Sequence, residues 1–141
     1  MGVIAVLIII LGFFIFNSIS DSNVDYYADD IGGYTFNIPD FLVLDSTHDL
    51  DNVFVKSYSS GNLFLSIMVY KDPDFSEEYL LDMYNAKNST KVNFGNLEVY
   101  RYEIYDTVNY FFKIDNDLVY IHFWGAKNTD ILVKGILKDI Q

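Results

Sequence analysis

The sequence predicts an α+β fold, an antiparallel sheet sandwiched between helices and preceded by one N-terminal hydrophobic helix. Three observations carry this. The segments run in the order strand, hairpin, helix, four-strand meander, helix. Several strands are apolar on both faces: along Leu118–Trp124, Leu118, Tyr120 and Trp124 alternate with Val119, Ile121 and Phe123. A sheet apolar on both sides needs a cover on both sides. Finally, Met1–Phe16 is an unbroken apolar run without a charge.

That run, extended by Asn17-Ser18-Ile19-Ser20, approaches the roughly 20 residues a helix needs to cross a bilayer. Residues 1–20 are therefore expected to be a transmembrane anchor or an uncleaved signal. A cleaved signal is the alternative, although the charged start is missing and Ser18-Ile19-Ser20 is a poor cleavage site. Residues 21–32 are polar and acidic and read as a linker, leaving 33–141 as one domain. With no Cys for acylation and Val6 where myristoylation needs Ser or Thr, lipid anchors are excluded.

Within the domain, Tyr34, Phe36 and Ile38 alternate with Thr35 and Asn37 in a strand stopped by Pro39. Phe41–Leu44 is a short apolar piece and Asp45–Asn52 a loop. Val53–Tyr58 and Leu63–Tyr70 flank Ser59-Ser60-Gly61-Asn62, the composition of a hairpin. Asp74 as N-cap with Glu77 forms a capping box, and Tyr79, Leu80, Met83 and Tyr84 give the helix one apolar stripe. Val92–Phe94, Leu97–Tyr105, Tyr110–Ile114 and Leu118–Trp124 then make the meander. A closing helix over about Asp130–Ile140 places Leu132, Ile136 and Ile140 together, with Lys134 and Lys138 late, where the macrodipole favours cations.

The stretch GYTFNIPDF at Gly33–Phe41 resembles the opening strand of PsbP-like domains, in which alternating aromatics lead into an Ile-Pro turn followed by an aromatic. The order of the later elements is similar too, so the resemblance spans about residues 27–141. It implies an αβα sandwich and a non-catalytic binding or assembly role.

The formal net charge is −11, against nucleic-acid binding, which needs clustered Lys and Arg. An acidic domain is repelled by anionic headgroups and should meet the membrane only through residues 1–20. The absence of Cys removes disulfides, thiol catalysis and thiolate metal sites. No Gly-x-Ser-x-Gly, phosphate loop or His-Glu-x-x-His is present, and no cofactor is indicated. Two histidines exist. His48, among Asp45, Asp49 and Asp51, offers a candidate divalent-metal loop, with a solvated acidic loop as the plain alternative. His122 is expected to be a hydrogen-bonded histidine beneath a covering helix, in a structural row with Tyr120 and a buried Trp124. Asn88-Ser89-Thr90 is a glycosylation sequon.

Two functions follow as expectations. The first is a membrane-tethered, extracytoplasmic, non-catalytic binding or assembly module. Its soluble domain is monomeric, and its partner is an envelope protein or surface component. The alternative is an envelope hydrolase or metal-dependent enzyme using the His48 loop. The matching location is the cell membrane, single-pass with the domain outside, or secretion after cleavage.

Overall fold

The structure, a computed structural model, describes residues 23–74, 76–83 and 87–140, and the side chains of Glu77, Leu80 and Met83 are left aside. The expected anchor at 1–20 lies outside the described residues. Among the described residues no helix is long and apolar enough to cross a membrane. The described residues therefore give the expectation of a single-pass membrane protein no support.

Among the described residues, nine strands form two antiparallel sheets. β1 (Tyr26–Ile31) and β2 (Tyr34–Pro39) make a hairpin of their own. β3 (Val43–Leu50), β4 (Val53–Ser60), β5 (Leu63–Tyr70), β6 (Thr90–Phe94), β7 (Leu97–Ile104), β8 (Thr107–Ile114) and β9 (Asp117–Trp124) make a seven-stranded sheet ordered β3-β4-β5-β9-β8-β7-β6. Two helices are described, α1 (Glu77–Met83) and α2 (Asp130–Ile136). The αβα sandwich expected from the sequence, and implied by the PsbP-like resemblance, is thus corrected to a mostly β architecture.

The physical reason is that one cover is itself a hairpin. Residues 26–31, expected within the linker, pair with β2 from Tyr26↔Pro39 to Ile31↔Tyr34. Gly32 and Gly33 connect them with φ of 59° and 84°. Both central residues at positive φ is the demand of a type I′ turn, which glycine meets without a Cβ clash. The hairpin and α2 lie on one face of the large sheet. There Ile31, Phe36 and Ile38 join Leu65, Ile67, Val119, Ile121, Phe123, Leu132, Val133 and Ile136 in one buried core. Gly135 in α2 sits against the Tyr26 ring so closely that a Cβ would come 2.2 Å from its hydroxyl.

Polar clamps fix these covers. Asp29 on β1 accepts from Lys56 Nζ at 2.6 Å and from the Tyr58 hydroxyl at 2.8 Å, both on β4. Asp117 accepts from Tyr34 at 2.7 Å, from Lys71 Nζ at 2.5 Å and from the Asp72 N–H at 2.9 Å. Burial and the Asp117 carboxylate push the Tyr34 hydroxyl up to about 12. Arg101 Nε donates to Asp130 at 2.9 Å, and the Tyr110 hydroxyl reaches the same carboxylate, tying α2 to the sheet.

Two further expectations change. Asp45–Asn52 is not a loop: most of it is β3, an edge strand that pairs with β4 alone. The helix cap is Ser76, whose Oγ accepts the Tyr79 N–H at 3.2 Å, rather than Asp74. The β4–β5 hairpin and the four-strand meander form as expected but with tighter turns: Ser59 and Ser60 pair within β4, leaving Gly61-Asn62 as the connection, and β8 begins at Thr107 rather than Tyr110.

Candidate functional site

The expected metal loop does not converge. Cross-strand pairing sets Asp49 opposite Phe54 and His48 opposite Val55, so neighbouring side chains on β3 point to opposite faces. Asp45 lies in the bulge between Leu44 and Ser46, and Asp51 lies in the following turn at φ 48°. All four candidates are exposed, and among the described residues no group of three or more His, Asp or Glu could hold a metal ion. Asn88 is exposed in the turn before β6.

The second face of the large sheet carries a different arrangement. The ladder registers line up three rows across it. The first runs Val55, Met68, Tyr120, Phe111, Tyr100. The second runs Ser57, Ser66, His122, Asn109, Tyr102, and the third runs Val43, Ser59, Phe64, Trp124, Thr107, Ile104. Leu81 of α1 packs against the cluster that Tyr102, Phe111, Leu118 and Tyr120 form on this face.

A hydrogen-bonded chain runs through Asn109, Tyr102 and His122 of the middle row together with Thr107 of the third row and Tyr120 of the first, its proton directions fixed at the Thr107 end. The Thr107 hydroxyl donates to the Ile104 carbonyl at 2.7 Å, so its oxygen accepts from Asn109 Nδ2 at 3.1 Å. That orients the amide with Oδ1 toward Tyr120, whose hydroxyl donates to it at 2.7 Å. Tyr120 must then accept from Tyr102, at 2.9 Å. Asn109 Oδ1 also stands 2.7 Å from His122 Nδ1, so in the neutral ring Nδ1 carries the proton and Nε2 is the acceptor. Burial pushes the His122 pKa down, favouring that neutral ring, and burial together with Tyr102 pushes Tyr120 up. The expected hydrogen-bonded histidine is present, with an amide as its partner. No family model matches the chain, and no curated protein is significantly similar to it.

The third row corrects the expectation for Trp124. It is 50% exposed, not buried under a helix. It belongs to a stripe with Val43, 69% exposed at the sheet edge, and half-buried Phe64. Tyr105, in the turn between β7 and β8 beside Thr107, is 94% exposed and holds φ of 54°. A bulky L-residue in the left-handed region costs about 1–2 kcal/mol, and this side chain returns no burial. Sequence reasoning missed Tyr105 because an aromatic at the end of a strand resembles a strand residue. The signal available was the two-residue spacing between the apolar runs of β7 and β8, which puts Tyr105-Asp106 at the turn.

Proposed function

We propose that the protein is a non-catalytic binding module that engages another protein through the stripe Val43–Phe64–Trp124 with Tyr105 at its end. The single observation that carries this is the exposure of Trp124 in line with other exposed apolar groups on one face of the sheet. Small ligands are held in concave sites that enclose most of their surface. A row on a sheet face suits instead a partner's surface, where Trp and Tyr dominate binding energy. The net charge of −11 favours a partner that is not itself strongly acidic.

Support for the non-catalytic part comes from the chemistry of the hydrogen-bonded chain around His122. His122 is paired with an amide oxygen rather than a carboxylate, and burial weakens it as a base. The hydroxyls of Thr107 and Tyr120 are committed as donors to Ile104 and Asn109. Nothing favours the metal-dependent alternative at His48.

Trp124 is the single tryptophan of the chain, so intrinsic fluorescence reports directly on this surface. The test is capture of partners by the wild-type protein compared with Trp124→Ala and Tyr105→Ala, followed by titration of each captured partner. The expected result is a partner that both variants lose and that shifts Trp124 emission to the blue. A partner that binds all three proteins equally and leaves the emission unchanged overturns the reading.

A further inference from the structure

β3 is an edge of the large sheet, and beyond it no strand pairs among the described residues. Its backbone edge is open for five regular residues, Ser46–Leu50, because the bulge at Asp45 interrupts the ladder only above them. Natural edges are blunted by charged side chains, lysine above all, by proline, by a bulge or by a covering element. This one has a bulge at Asp45 and one aspartate, Asp49, in its regular part, but neither lysine nor proline, and Leu50 is 72% exposed.

Beside this edge, on the core side of the sheet, lies a cleft of about 330 Å³ lined by Asp30, Gly32, Gly33, Asp49, Phe54 and Lys56, with Ile31 at its base. The tip of the β1–β2 hairpin closes it from above, since Gly32 packs against Val69 and Phe54. Asp49 faces the cleft because it pairs across from Phe54. The one cation of the cleft, Lys56, is already bound to Asp29 at 2.6 Å. Asp30 and Asp49 remain exposed, with no cation within ion-pair distance among the described residues. A strand laid along Ser46–Leu50 would send alternate side chains over this cleft.

We propose that β3 is a strand-addition site for an extended segment of another protein that alternates apolar residues with Lys or Arg. The added segment forms backbone hydrogen bonds to Ser46–Leu50. One basic side chain lays its aliphatic stem along Phe54 and brings its charge to Asp30 and Asp49. This mode takes affinity from main-chain pairing and specificity from pockets for alternate side chains. Charge decides the occupant: a second copy of this chain would set −11 against −11, whereas a basic segment is attracted. The site is separate from the Trp124 stripe and does not rest on it.

The probe is a fluorescein-labelled heptapeptide of alternating valine and lysine, titrated against the full chain by fluorescence anisotropy. Saturable binding that weakens with salt is expected, with loss when lysine is replaced by glutamate. The same peptide N-methylated at alternate amides should also fail to bind, because its backbone can no longer pair. Asp30→Asn combined with Asp49→Asn should weaken binding about threefold to tenfold, as two exposed charge pairs are worth. Equal binding of the N-methylated peptide would reduce the effect to charge attraction and overturn the proposal, and so would no binding at all. A dimer by sedimentation that the peptide dissociates would show the edge already taken by a second copy, which also overturns it.

Discussion

At the scale of single residues, two of the groups whose acidity the fold shifts, His122 and Asp117, act in separate pH windows. Burial lowers the His122 pKa below its ordinary 6.5. The unfolded chain therefore binds more protons there, and stability is lost as pH falls from about 6.5 toward the folded value. For Asp117, burial opposes ionisation, yet Lys71, Tyr34 and the Asp72 amide together pull the carboxyl below its ordinary 3.8. Its contribution is present above about 3.8 and is lost only as pH falls through the still lower folded value. Urea midpoints measured across pH should thus decline in the His122 window well before any acid transition. His122→Gln, which keeps a donor for Asn109, should flatten the decline just below pH 6.5 and leave the one below pH 4 in place. An unchanged slope would mean that the imidazole is solvated. The sequence showed His122 as a hydrogen-bonded strand histidine. It could not show that the partner was Asn109, because the pairing Asn109↔His122 depends on a register set by the whole β8–β9 ladder.

At the scale of elements, β9 separates what alternation reveals from what it hides. The alternation assigns Phe123 and Trp124 to opposite faces, and the structure agrees: Phe123 is fully buried and Trp124 is half exposed. What alternation cannot say is how much cover each face receives. Both faces of β9 are apolar in sequence, but the second face also carries Ser57, Ser66 and Asn109 from other strands, and only Leu81 of α1 among the described side chains is seen to pack on it. The expected burial of Trp124 failed for that reason. Phe123→Ala should cost roughly 3–5 kcal/mol, as truncation of a buried aromatic does. Trp124→Ala should cost about 1 kcal/mol or less, in the range of surface changes. Urea unfolding followed by circular dichroism compares the two without relying on the tryptophan. If the costs proved equal, the Trp124 end of the face would be covered after all. The edge strand β3 was hidden in a related way: a strand that pairs on one side and is exposed on both faces needs no apolar period, so Asp45–Asn52 carried only the composition of a loop.

At the scale of the whole molecule, one face of the seven-stranded sheet carries the main core, and part of its cover comes from the β1–β2 hairpin. The sequence placed the domain boundary at Gly33 because residues 21–32 are acidic. The Gly32-Gly33 pair, however, is also a hairpin signal, and β1 is part of the fold. Asp29 on β1 satisfies the hydroxyl of Tyr58, a side chain with no exposed surface, and Ile31 is 2% exposed in the core. Removing β1 leaves that buried hydroxyl without its acceptor, which costs about 1–3 kcal/mol. It also forfeits the burial of Ile31, about 1.5–3 kcal/mol, and strips β2 of its only paired strand. Together these rival the lower end of the stability of an ordinary domain, about 5–15 kcal/mol. A chain beginning at Asn23 should therefore unfold in one cooperative transition, with tryptophan fluorescence and far-ultraviolet circular dichroism coincident. A chain beginning at Gly33 should lose that coincidence, bind hydrophobic dyes and melt broadly, because the core face between β5 and β2 is opened along its length. Should the shorter chain prove equally stable, β1 would be an appendage to the sheet, and the Asp29 clamp would be a surface contact of no consequence to folding.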